Sequence, residues 1–158
     1  MVMPISVKTV DFDTILPTWQ TMLWPGRKSM IRPVCPMVFL GGYDMKILHH
    51  DKQAVYYAAY DGINTLIGVC SGHPTSHSAY RCRGLWVDPS YLALGVNDNL
   101  VRAVYNTAKA QGFELLWSMP RIGNTDFFQR MGFEQMSQPF TDNVEYGPNV
   151  YMGRAITV

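Results

Sequence analysis

Residues 80–112 read YRCRGLWVDPSYLALGVNDNLVRAVYNTAKAQG, and the rest of the chain is organised around them. Before Pro89 the stretch predicts a strand, because Leu85, Trp86 and Val87 are strand formers that run into a residue with no amide to give to a ladder. After Gly95 it predicts a helix. Val96, Leu100, Ala103, Val104, Thr107 and Ala108 recur at the spacing of one helical face, Asn97 or Asp98 is placed to cap its start, and Gly112 stands where a left-handed terminator belongs. Strand, tight turn and helix thus follow one another directly. Such a unit aims the free N–H groups of the first helical turn, with the positive end of the helix dipole behind them, at whatever lies beside the turn. That makes an anion site, most often for phosphate; the plainer reading of the same glycine is packing in any α/β protein.

Two further segments bear on the choice. Downstream, Asn124-Thr125-Asp126-Phe127-Phe128-Gln129-Arg130-Met131-Gly132-Phe133 sets an asparagine ahead of an aromatic pair and a Gly-Phe end. Upstream, YYAAYDGINTLIGVCSG, residues 56–72, has a strand ending in Asp61-Gly62 that turns back into Ile67-Gly68-Val69. Together with Leu85-x-Val87-Asp88-Pro89-Ser90-Tyr91 and Gly95, these resemble the ordered motifs of the GNAT superfamily, the acyl-CoA-dependent N-acyltransferases. The resemblance runs from about Gln53 to Phe133. It implies an α/β three-layer sandwich on a mixed, splayed central sheet, with acetyl-CoA as acyl donor.

The resemblance also assigns places to residues. The pantetheine arm of the donor would lie along Leu85, Trp86 and Val87, pairing with the main chain of Leu85 and Val87 much as a peptide adds to a sheet edge. Its pyrophosphate would sit on the amides of Leu94, Gly95, Val96, Asn97 and Asp98. Asn124 matches the family's asparagine that touches the cofactor arm, and Arg130 is within the same motif to meet a phosphate; their plainer readings are a helix cap and a solvated charge. Where the family has a cation in the turn this chain has Leu92, where it has a second small residue this chain has Asn97, and Asp98 adds a negative charge. Losing a cation and gaining an anion should weaken pyrophosphate binding by ~1–3 kcal/mol.

The whole chain is consistent with this. At 158 residues a single domain is expected, with 47% apolar and 16% charged residues marking a globular chain. A formal charge of +1 without a Lys/Arg cluster argues against a nucleic-acid binder. Cys35, Cys70 and Cys82 form no metal spacing and leave one thiol over in any pairing, which fits a reducing cytoplasm. No window approaches the ~18 apolar residues of a membrane span, so no membrane partner is expected. A homodimer is compatible with a chain of this kind.

In chain order, residues 4–10 predict a strand. A helix follows, capped within Asp11 to Asp13 and carrying Ile15, Leu16, Trp19, Met22 and Leu23 on one face, with Pro17 tolerable only in a first turn. From Gly26 to Gly42 the chain predicts loop with a short helical piece, and Met45 to His50 a helical turn or a bulged connection. Residues 54–60 and 65–71 predict a hairpin across Asp61-Gly62, followed by a loop from Gly72 to Ser78. A buried strand over 113–119, a short helix over 124–131 ending at Gly132, and strands near 133–137 and 150–156 complete the order, with a polar loop at 141–149.

Loops carried by a rigid sheet hold the acceptor side in this reading, with Trp24, Tyr43 and His73 as its candidate residues. His49-His50-Asp51 and His73-x-x-x-His77 invite a metal, but Pro74 interrupts the second pair and no third ligand is placed, so none is expected. Acyl transfer to an amine of pKa ~10.4 needs a neutral nucleophile, which costs ~4.6 kcal/mol at pH 7. The carboxylate that the family often carries on the strand is missing between Tyr80 and Val87. The place of its tyrosine acid is held by Phe128, a milder loss because a thiol of pKa ~8.5 leaves near pH 7 against only ~2 kcal/mol. The catalytic groups are therefore not assignable from sequence. The expected activity is acetyl transfer from acetyl-CoA by direct attack of a small-molecule or protein amine; the alternative is a GNAT-fold module that binds a ligand or protein without turnover.

Overall fold

The computed structural model describes residues 4–49, 53–142 and 144–157. Seven strands form one sheet in the order β1-β2-β3-β4-β5-β7-β6: β1 Ile5–Val10, β2 Val55–Asp61, β3 Thr65–Pro74, β4 Ala79–Val87, β5 Leu115–Ser118, β6 Glu134–Gln135 and β7 Met152–Ala155. Every neighbouring pair is antiparallel except β4 and β5. That parallel pair needs a crossover, and helix α2, Val96–Ala110, supplies it. Helix α1, Phe12–Thr18, and α3, Thr125–Arg130, complete the helical set with several 3₁₀ turns.

The apolar stripe read from sequence is the buried face of α2. Val96, Leu100, Val104 and Ala108 are fully buried, joined by Val101 and Tyr105, while Ala103 and Thr107 lie at its half-buried edge. They pack on Tyr80, Cys82 and Leu116 of the sheet and on Phe128 and Phe133 around α3. Full burial of a side chain such as Leu100 stabilises by ~1.5–3 kcal/mol. On the opposite face, Ile15 and Trp19 cover Val69 in a second cluster, and Trp117 meets Met37 and Tyr151 in a third.

Several expectations are corrected. A 3₁₀ turn, Pro89–Leu94, separates strand from helix, because Asp88 caps it by accepting from the Ser90 amide. Gly95, with φ 74°, is the N-cap of α2; neither Asn97 nor Asp98 caps it, and the Asn97 side chain instead takes up the Asp98 amide. Pro17 stands in the second turn of α1, where it removes one bond from the ladder; the Trp19 amide still reaches Ile15, and the chain continues as a π turn, Trp19–Leu23, closed by the Trp24 amide on the Trp19 carbonyl. Residues 26–42 contain no helical piece; Pro33 and Pro36 leave an irregular path pinned by a bridge between Met37 and Tyr43. Residues 45–49 are a 3₁₀ turn, and His50 and Asp51 of the suggested metal cluster lie outside the described residues. The loop predicted from Gly72 is shorter, since β3 runs on to Pro74 in register with β4.

Candidate active site

The sheet opens where β4 and β5 part. They are paired only from Ala79 to Arg81 against Leu115 to Trp117, after which β4 runs on to Val87 while β5 stops at Ser118. The Ser118 hydroxyl reaches across to the Cys82 carbonyl at 3.0 Å and marks the fork. Beyond it lies a groove of about 350 Å³, bounded by Leu85, Trp86 and Val87 on one side and by Ser118 to Arg121, Asn124 and Phe127 on the other.

A bulge on β4 sets what this groove sees. Gly84 and Leu85 together oppose the single residue Cys70 between the pairs Arg83↔Ser71 and Trp86↔Val69. Gly84 has φ 74°, and its carbonyl accepts from Trp19 Nε1 at 2.8 Å. The Asp88 amide donates back to Ile67 of β3. By the two-residue period of a strand, Trp86 and Asp88 then turn their backbone groups to β3, and those of Leu85 and Val87 face the groove.

The mouth of the groove is at Leu92 and Asn97. In the helical first turn the Gly95 amide bonds to the Leu92 carbonyl and the Asp98 amide to the Asn97 side chain, which leaves Val96 and Asn97 as donors without an intrahelical acceptor. The Val96 side chain is buried, Leu94 is exposed and Asp98 half-buried, and none of the three side chains donates, so the donors here are main chain and the Asn97 amide. A Cβ at Gly95 would meet nothing within 4 Å, so the space above it is open. Asn124 lines the groove; Arg130 is exposed, with its guanidinium 5.6 Å from the Phe127 ring, and does not line it.

At its inner end the groove shares Trp24, Arg81, Arg83, Met119, Arg121 and Asn149 with a second chamber of about 250 Å³. Tyr43, 57% exposed, stands on the rim of that chamber, and Trp24 stands between the two spaces. The predicted 141–149 loop supplies Val144, Glu145 and Tyr146 to its wall. The Glu145 carboxylate is clasped by the Ser29 hydroxyl and the amides of Lys28 and Ser29, which hold it below the usual carboxylate range and ready to orient rather than to accept a proton. Tyr146 donates to the Pro25 carbonyl, so the two loops are laced together over the chamber.

His73 is not among the lining residues. It lies within β3, fully buried, with Nε2 against the backbone of Cys35. Burial first, then Arg83 and Arg81, keep its imidazole well below its ordinary pKa and therefore neutral. His77 is exposed on the next loop, so the two histidines do not converge.

What sequence reading missed is the pair Arg81 and Arg83. At alternate positions of a central strand they point to the face opposite α2, 7% and 5% exposed, one stacked 5.0 Å from Trp117 and the other 5.1 Å from Trp19. Two cations alternating along an otherwise apolar buried strand were the visible signal. Burial, then the neighbouring Arg81, draw the Arg83 guanidinium below the usual arginine range, yet leave it charged at neutral pH. Burial pushes the Cys35 thiol up, but Arg81 and Arg83 more than offset this and leave it below the usual thiol range.

The acetyltransferase (GNAT) family profile matches residues 20–133. The chain belongs to the GNAT acetyltransferase family. An acyl-CoA-dependent N-acyltransferase of this family acts on an amine, and the open groove between β4 and β5 is where this fold departs from a continuous sheet. Solved structures share the architecture at low identity. A GNAT-family acetyltransferase from Staphylococcus aureus Mu50 aligns with TM-score 0.67 at 14% identity, covering 98% of this chain and 100% of that one. A GNAT acetyltransferase from Elizabethkingia anophelis, with acetyl-CoA bound, gives 0.63 at 16% identity over 96% and 97%. The ribosomal-protein-S18-alanine N-acetyltransferase of Escherichia coli gives 0.64 at 12% identity over 98% and 96%. None of the curated proteins matches the chain significantly. Among the described residues no helix is long and apolar enough to cross a membrane.

Proposed function

We propose that this GNAT enzyme takes its acyl group from acetyl-CoA bound in the β4/β5 groove and passes it by direct attack to an amine held in the second chamber. The observation that carries this reading is that the two spaces share Trp24, Arg81, Arg83, Met119, Arg121 and Asn149 as lining, so that a donor in one and an acceptor in the other would lie against the same residues. The outward-facing backbone of Leu85 and Val87 suits the amide-rich pantetheine arm. The amides of Val96 and Asn97, at the positive end of α2, suit the pyrophosphate. Asn124 adds a polar wall, and Arg130 would reach a phosphate only from outside the groove.

No carboxylate is needed on β4 to free the amine. Arg81, Arg83 and Arg121 place like charge beside a bound ammonium and lower its pKa, which favours the neutral nucleophile. The amine lone pair then attacks the thioester carbonyl, the C–S bond breaks, and the thiolate leaves against the modest cost of its own protonation. Phe128, buried against Phe127 and Phe133, supplies no proton to that step. The free thiols of Cys35, Cys70 and Cys82 support a reducing cytoplasm as the setting, and the sheet that runs from β1 to β7 supports a single catalytic domain.

Initial rates measured with both substrates varied test the direct route. Intersecting reciprocal plots, unchanged in pattern by Cys35→Ser, are expected. Parallel plots that vanish with Cys35→Ser would instead mean an acyl-enzyme on the Cys35 thiol.

A further inference from the structure

The acceptor chamber is built for one kind of amine. Among the described residues the single ion pair is Arg27 with Glu145, at 3.9 Å, so Arg81, Arg83 and Arg121 have no carboxylate partner. Arg83 gives one N–H to the Arg32 carbonyl and Arg121 one to the Leu23 carbonyl, at 2.8 Å each. Arg81 Nε, in a side chain 7% exposed, has no hydrogen-bond partner. Buried cations without counter-charge are costly, and a buried donor without an acceptor adds to that cost. Both costs are removed by an anionic ligand.

A second buried atom is unpartnered beside them. Asn149 Oδ1, in a side chain also 7% exposed, accepts nothing, while Nδ2 of the same amide donates to the Met119 carbonyl at 2.9 Å and so fixes which way the group points. Asn149 and Arg81 both line the groove and the chamber. An idle donor on a cation and an idle acceptor on an amide thus belong to two side chains that line both spaces.

We propose that the acceptor is a small amine that itself carries a carboxylate, with the carboxylate on the Arg81 and Arg83 guanidinia and an N–H of the amine on Asn149 Oδ1. The proposal rests on the acyl-transfer reading above for the direction in which the amine points. A planar carboxylate matches the guanidinium fork, and a chamber of about 250 Å³ holds an amino-acid-sized molecule. A polyamine or a lysine side chain without a nearby anion would bring a further cation against three unpaired arginines, which disfavours it.

Wild-type protein with acetyl-CoA is offered matched acceptors: amino carboxylates, their carboxamides, the corresponding aminophosphonates and a polyamine. Thiol release gives kcat/KM, and the melting temperature with each acceptor alone gives binding without turnover. Amino carboxylates should exceed their carboxamides by roughly tenfold or more in kcat/KM, and they alone should raise the melting temperature. Arg81→Gln should raise the acceptor KM and collapse the carboxylate preference, and Asn149→Ala should raise the acceptor KM. Because Arg81→Gln leaves a buried site to repack, competitive inhibition of wild type by simple non-amine carboxylates against the acceptor, and not against acetyl-CoA, gives the same answer without a variant. Equal use of carboxamides, a preference for the polyamine, tighter use of phosphonates, or no carboxylate-dependent shift in melting would each overturn the proposal. Failure of the acyl-transfer reading is separate: it would show as no acetyl-CoA binding by the same protein.

Discussion

Replacing Gly84 by alanine tests whether the bulge on β4 shapes the site. A Cβ built there would lie 2.5 Å from Trp19 Nε1 and closer still to Cε2 and Cζ2. Trp19 has nowhere to go: it is fully buried, bonded through Nε1 to the Gly84 carbonyl, and flanked by Trp24 at 5.1 Å and Phe12 at 6.0 Å. The φ of 74° adds ~1–2 kcal/mol for any residue with a Cβ. Overpacking adds ~1–3 kcal/mol. The sum, ~2–5 kcal/mol at ~2–4 °C per kcal/mol for a domain of this size, lowers the melting temperature by roughly 4–20 °C. Urea denaturation of Gly84→Ala, of Trp19→Leu and of the double variant separates the two terms. With Trp19 shortened, the alanine should cost only the backbone part, giving a coupling of ~1–3 kcal/mol. Strictly additive costs, or a Gly84→Ala protein as stable as wild type, would refute the packing argument. Below its melting point Gly84→Ala should also raise the acetyl-CoA KM, because a straightened strand turns Leu85 and Val87 away from the groove.

Two more expectations bear on charge. Asp98→Ser removes a like charge beside the pyrophosphate and Leu92→Arg adds a cation at the groove mouth, so each should tighten acetyl-CoA by roughly 1–2 kcal/mol, read by calorimetry; weaker binding in both would place the pyrophosphate elsewhere. The pH profile of kcat should rise with a midpoint at least about one unit below the pKa of the free amine, because Arg81 and Arg83 disfavour the bound ammonium, and Arg83→Gln should move that midpoint upward. A midpoint at the free amine's own value would remove the arginines from this role.

The fold was largely legible because its signals are local. The period of α2, the Asp61-Gly62 turn and the glycine stops at Gly112 and Gly132 each depend on a few neighbouring residues, and their backbone angles agree with the reading. The errors arose where distant contacts decide: β3 extends to Pro74 because β4 is there to pair with it, and that extension carries His73 from a supposed loop into the interior. Asn97 does not cap α2 because Gly95 already turns the chain into it. Motif order singled out Leu85, Val87 and Asn124, which line the groove, and the loops singled out Trp24 and Tyr43, which line the chamber. The arginine pair and Asn149 were not legible, since their meaning depends on what is missing around them, a counter-charge for one and a donor for the other.

The central claim is that acetyl-CoA occupies the β4/β5 groove, and a calorimetric titration of the wild-type chain with acetyl-CoA tests it most directly. One equivalent per chain is expected, and at a hundredfold excess over Kd the folded state should gain ~2.7 kcal/mol. No heat and no stabilisation with acetyl-CoA at millimolar concentration would contradict it, leaving a GNAT fold without its donor.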